Sequence, residues 1–159
     1  LLTYCTLEHA RNAARHVALG AERAGRDPGE VEVATLLPCA VAGAGDDSID
    51  GLRENIARYA GRFPRYRRLM QEAGFPDEVQ AVRRAWQAGD KDKALALVPA
   101  GLIEKIALVG SPDRCRRRLE EYREAGITQP IIAPRVLGPH AKEQAMEAIR
   151  ACAPRREAG

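Results

Sequence analysis

VEVATLLPCAVA, residues 31–42, decides the fold. It starts in alternation at Val31 and Val33 and then turns apolar on both faces through Leu36 and Leu37. A strand covered on both faces belongs to a parallel sheet sandwiched by helices. Pro38 has no N–H to give to a ladder, so regular pairing is expected to end near it. Downstream, Ile127 and Pro130-Ile131-Ile132-Ala133 form a short apolar strand closed by Pro134-Arg135. These two segments are expected to lie side by side and parallel.

Helices surround them. Upstream, Leu7, Ala10, Ala14, Val17, Ala18 and Ala21 form an amphipathic stripe, with Thr6 as N-cap and Glu8 in the first turn. Gly25 stops that helix and Asp27-Pro28-Gly29 turns the chain. Before it, Leu1-Leu2-Thr3 has the character of a strand end. Gly110-Ser111-Pro112-Asp113 opens another helix, with Ser111 as N-cap and Pro112 at the first helical position. Its inner face carries Cys115, Leu119 and Tyr122, and Gly126 ends it. A last helix after Gly138-Pro139 is expected to turn Ala141, Ala145, Ala148 and Ile149 inward, with a frayed tail over 154–159.

Between the two strands, residues 46–99 read as a run of short helices behind a Gly43-Ala44-Gly45 loop, punctuated by Pro64, Gly74, Pro76, Gly89 and Pro99. The order is strand, helix, strand, helical insertion, helix, strand, helix: an α/β fold with three strands.

Composition excludes several classes. Of 159 residues, 45% are apolar and 30% charged, with a net charge of +3, as in ordinary globular proteins. No apolar run approaches the roughly 20 residues that span a bilayer, and no leader opens the chain, so a cytoplasmic protein without a membrane partner is expected. Arg114, Arg116, Arg117 and Arg118 are followed by Glu120, Glu121 and Glu124, a solvated face with i,i+4 ion pairs. No aromatic residue interleaves those arginines, so no nucleic-acid partner is expected. Cys5, Cys39, Cys115 and Cys152 form no CxxC pair, and the three histidines have no ligand spacing, so no metal is expected.

Three segments carry a family resemblance. Ala21-Glu22-Arg23-Ala24-Gly25-Arg26-Asp27-Pro28 and Val31-Glu32-Val33-Ala34 resemble a helix end and the following strand of luciferase-like monooxygenases. Leu108-Val109-Gly110-Ser111-Pro112-Asp113-Arg114-Cys115, with Leu119, Tyr122 and Ala125-Gly126-Ile127, is similar to that family's pattern near its C-terminus. Ala57-Arg58-Tyr59 and Gln71-Glu72-Ala73-Gly74-Phe75 look like members that use the deazaflavin coenzyme F420. The resemblance implies a partial (β/α)8 barrel, about the last three β/α units over residues 1–153, with the helical insertion as a lid. Eight strands close such a barrel, so the chain is expected to be the C-terminal part of a longer enzyme, inactive by itself and needing the N-terminal barrel half, with a homo-oligomer as a further possibility.

The implied activity is that of an oxidoreductase or monooxygenase. It would act on a small organic substrate by hydride transfer or oxygen activation, with coenzyme F420 preferred over FMN. Active sites of these barrels gather at the C-terminal strand ends. That rule selects Thr3 and Tyr4, whose hydroxyls would approach the cofactor ring or serve merely as turn and cap, and Arg135, which would meet an acidic group or a surface partner. Cys39 lines the pocket or fills the core. Arg62, Arg65, Tyr66 and Arg68 make a basic-aromatic group around Pro64, either solvated or facing a cofactor phosphate or polyglutamate tail, and Arg65 is the candidate taken from it. No residue is singled out as catalytic. The competing reading is a non-catalytic helical α/β module that docks on a partner chain through its open sheet face.

Overall fold

The structure, a computed structural model, describes residues 2–41, 47–136 and 138–153. The frayed tail over 154–159, the loop at 43–45 and the strand character of Leu1 lie outside these residues. In chain order the elements are β1 (Leu2–Thr3), α1 (Leu7–Arg23), β2 (Ala34–Val41), α2 (Asp47–Arg62), α3 (Pro64–Glu72), α4 (Pro76–Gln87), α5 (Lys91–Ala96) and α6 (Ala100–Ile106). Then follow β3 (Leu108–Gly110), α7 (Pro112–Glu124), β4 (Gln129–Pro134) and α8 (Ala141–Cys152). The expected caps are in place: Thr6 Oγ1 accepts from the His9 N–H at 3.2 Å and Ser111 Oγ from the Arg114 N–H at 3.3 Å. Each such cap is worth about 1 kcal/mol.

β2 and β4 are parallel neighbours, registered from Ala34 against Gln129 to Cys39 against Pro134. β1 pairs in parallel with Thr35 and Leu36, and β3 with Cys39, Ala40 and Val41. Cys39 is registered on β3 and β4 at once, so those strands take opposite edges of β2, and β1 shares the edge of β3.

Two expectations change here. The sheet has four strands, because Leu108-Val109-Gly110 is a strand too. Three residues leading straight into a helix cap carry no period of their own; only their partners on β2 make them a strand. Nor does pairing stop at Pro38. The Cys39 carbonyl accepts from the Arg135 N–H at 2.9 Å, so residue 39 addresses β4 and residue 38 the opposite edge. There, β1 has ended opposite Leu36 and β3 begins opposite Cys39. The proline nitrogen falls in that gap, where no donor is needed.

Side chains alternate across the sheet. On the helix side, Leu37, Cys39, Val41 and Leu108 pack with Leu119, Tyr122, Ile127 and Ala148 under α1, α7 and α8. On the inner side, Ala40 and Val109 at the C-terminal end meet the core of α2–α6, built on Leu52, Ile56, Met70, Val82, Leu102 and Ile106. Towards the other end of the strands the inner side is open: Leu36 is half-buried and Ile131 is 39% exposed.

α8 sits differently from the expected stripe. Gln144, Ala148 and Ala151 are buried, whereas Ile149 is 45% exposed. The small alanines let the helix lie close to β2 and β4, and that contact, not the largest apolar residue, sets its rotation. No helix among the described residues is long and apolar enough to cross a membrane.

Candidate active site

Parallel strands release the chain at their C-terminal ends, where irregular backbone is free to carry chemistry. β1 releases it at Tyr4, whose φ of 51° is the only positive value at a non-glycine among the described residues. A left-handed L-residue costs about 1–2 kcal/mol. The ring explains why the conformation holds. It is 2% exposed, with centroids 4.7 Å from Tyr59 and 5.8 Å from Tyr66, and Phe63 stacks in turn 5.0 Å from Tyr59. Its hydroxyl, however, is buried with no partner among the described residues. Burial holds the phenol well above its ordinary value of 10.0, opposed by Arg135 and, more weakly, by Arg58.

β4 releases the chain at Arg135, against α2. A Cβ on Gly51 would lie 2.5 Å from the Arg135 carbonyl oxygen, so only glycine lets the helix touch this backbone. Glu54, Asn55 and Arg58, following Gly51 on the same helical face, line a cleft of about 260 Å³ with Pro134, Arg135 and Val136. Asn55 Oδ1, Arg135 Nε and Thr3 Oγ1 are buried without partners, like the Tyr4 hydroxyl. Each such atom costs about 1–3 kcal/mol, and natural folds keep few of them. Two of them, Asn55 Oδ1 and Arg135 Nε, belong to residues that line this cleft, whose polar bonds the described residues do not complete. Two guanidinium groups, Arg58 and Arg135, oppose one carboxylate, Glu54, so the lining suits an anionic ligand.

Arg65 lies elsewhere. It is exposed and lines a second cleft, about 200 Å³, with Leu2, Thr3, Cys5, His9 and Tyr66. Arg65 thus shares a cleft with Thr3 while Arg135 lines the other, and Tyr4 lines neither, lying instead against Tyr59 and Tyr66. The basic group around Pro64 is not compact: Arg62 sits over the Trp86 ring at 6.0 Å, and Arg68 pairs with Glu72 at 2.7 Å. Helical geometry sends the two side chains to different neighbours. Cys39 faces the helices, is fully buried and lines neither cleft.

Asn55 and Arg58 escaped the sequence reading as site residues. Their signal was Gly51, Glu54, Asn55 and Arg58 at helical spacing, a polar stripe indistinguishable in one dimension from a solvent face.

The luciferase-like monooxygenase family model matches residues 1–129. A 5,10-methylenetetrahydromethanopterin reductase of Methanopyrus kandleri is 28% identical over 131 residues, 82% of this chain and 36% of that protein. The reductase of the same name from Methanolobus tindarius is 27% identical over 139 residues, 86% of this chain and 41% of that one. The solved structure of the coenzyme F420 dependent tetrahydromethanopterin reductase from Methanopyrus kandleri matches with a TM-score of 0.74 and 26% identity, covering 91% of this chain and 41% of its own. The chain thus spans well under half the length of these relatives.

Proposed function

The chain belongs to the luciferase-like monooxygenase family, as part of its (β/α)8 barrel, and on that premise we propose that it forms one wall of the active site of a coenzyme F420-dependent oxidoreductase. The observation that carries this reading is the strained, partnerless Tyr4 beside Arg58 and Arg135 at the C-terminal strand ends. The names of the relatives support coenzyme F420 over FMN, and a reductase acting on a small organic substrate over an enzyme that activates oxygen.

When bound, the deazaflavin supplies the hydride chemistry. The chain's own residues bind and shield. Arg135 and Arg58 hold an anionic portion of the cofactor, its phosphate or its carboxylates, by charge-assisted hydrogen bonds. The Tyr4 and Thr3 hydroxyls and the Asn55 amide would complete their hydrogen bonds on polar groups of the bound cofactor. Arg65, across the aromatic cluster, adds positive charge on the second cleft. The α2–α6 helices cover the C-terminal half of the inner side and keep water from the reacting atoms. Catalysis requires the further barrel strands that cover Leu36 and Ile131, so these 159 residues alone are inactive.

Titration of the full-length protein with coenzyme F420 and with FMN, followed by cofactor fluorescence, tests the proposal. Coenzyme F420 binds the more tightly, and Arg135→Ala or Arg58→Ala weakens it about 10- to 100-fold, the loss of one charged hydrogen bond. Preference for FMN, or unchanged affinity in both variants, overturns it.

A further inference from the structure

A cleft of about 530 Å³ opens between α6, β3 and α7, walled on one side by Phe75, the residue before α4. It has about twice the volume of the cleft beside Arg135 and shares no lining residue with either cleft described above. A space of this size accommodates a small molecule rather than a bare ion. Four cations line it, Lys105, Arg114, Arg117 and Arg118, against two carboxylates, Glu104 and Glu121. Arg114, Arg117 and Arg118 stand at i, i+3 and i+4 on one face of α7, where like charges repel.

The protein relieves that repulsion only in part. Arg118 is fixed, its Nη1 on Glu121 at 2.8 Å and its Nη2 donating to the Lys105 carbonyl at 2.9 Å. Arg114 meets Glu104 at 3.3 Å in an exposed pair, which water screens and a ligand can open. Lys105 Nζ donates to the Ala73 carbonyl at 2.9 Å and lies 5.2 Å from the centre of the Phe75 ring, bringing charge there without a carboxylate. Arg117 is exposed and has no partner among the described residues.

We propose that this cleft binds a small phosphomonoester that carries a flat ring, with its phosphate on Arg114 and Arg117 and its ring against Phe75. The charges match. A phosphomonoester carries about −1.5 to −2 near neutral pH, and the lining has two more cations than carboxylates. A monocarboxylate would leave one of them unmatched. The guanidinium fork fits phosphate oxygens in pairs, and two such forks a helical turn apart on α7 can share one phosphate group. The ring end is kept clear by Gly101. A Cβ there would stand 3.2 Å from Phe75 Cζ, so glycine leaves that side of the aromatic ring open to the cleft. The cleft beside Arg58 and Arg135 is built from other elements, so this second site does not depend on the cofactor reading.

Calorimetric titration of the full-length protein with phenyl phosphate and with inorganic phosphate, each with and without coenzyme F420, tests the proposal. Phenyl phosphate is expected to bind saturably, about 3- to 10-fold more tightly than inorganic phosphate, the worth of one ring contact. Arg114→Ala and Arg117→Ala each weaken it about 10-fold, the loss of one charged hydrogen bond. Both side chains are exposed, so these variants keep the fold. Arg123→Ala removes the same charge from the α8 side of the helix and leaves the affinity unchanged. Phe75→Leu keeps an apolar side chain but erases the preference for the ring. Absence of saturable binding, equal affinity for the two phosphates, an equal loss in Arg123→Ala, or displacement by coenzyme F420 overturns the proposal.

Discussion

β2 presents the same eight residues to two environments. On its helix side, Leu37 and Cys39 are wholly buried, and the hydroxyl of Tyr122 above them donates to the Cys5 carbonyl at 2.7 Å. On its inner side, Leu36 is half-buried, and at the strand ends the hydroxyl of Tyr4 finds no partner among the described residues. Both phenols are buried, and only one is satisfied. The helix side is the more closely packed, although Arg116 Nε and Arg118 Nε on α7 are buried without partners among the described residues. The inner side keeps backbone strain and open hydrogen bonds at the place where a barrel enzyme holds its ligands.

The largest test of this contrast compares adjacent leucines. Leu37→Ala is expected to cost about 2–5 kcal/mol by urea unfolding, whereas Leu36→Ala costs less than about 1.5 kcal/mol, since its site is already half open. Equal losses would erase the distinction between the two sides.

The tyrosines sharpen it. Tyr122→Phe strands the Cys5 carbonyl and costs about 1–2 kcal/mol, while Tyr4→Phe leaves the ligand-free protein as stable as before or more so. Alkali probes both. Burial raises each phenol above its ordinary 10.0, with Cys5 adding to the effect at Tyr122. Above that value the unfolded chain gives up protons that the folded chain retains, so the folded state holds more of them. The tyrosines' contribution is therefore flat below pH 10 and falls above it, by about 1.4 kcal/mol per pH unit for each tyrosine. Either Phe variant should remove one share of that slope in denaturation curves between pH 9 and 11.

The smallest effect belongs to the surface of α7. Arg123→Ala, which breaks the exposed pair with Glu120, should move the unfolding free energy by less than about 0.5 kcal/mol, and added salt should shrink it further.

Much of this was legible in one dimension. The caps at Thr6 and Ser111, the stops at Gly25 and Gly126, the parallel pairing of the two apolar strands and the solvated arginines of α7 all follow from short-range patterns. Even there, spacing was finer than expected: Arg116–Asp113, Arg118–Glu121 and Arg123–Glu120 pair at i,i+3 rather than i,i+4. Of the candidate site, Thr3, Tyr4 and Arg135 are proposed from the rule about strand ends, while Asn55 and Arg58 join the candidate cleft only because Gly51 lets α2 rest on the backbone at Arg135.

By itself the amino-acid order determined the helices with their caps and stops and the parallel pairing of the two longer apolar strands, because periodicity and capping act over a few residues, but not that Leu108–Gly110 is a strand or that β2 begins at Ala34 rather than Val31. It did not determine that Pro38 sits inside a strand, which side of α8 is buried, or that Cys39, Cys115 and Cys152 share one core. Those depend on register and on the approach of elements distant in the chain. Such contacts arise when whole faces pack together, and no local pattern encodes them.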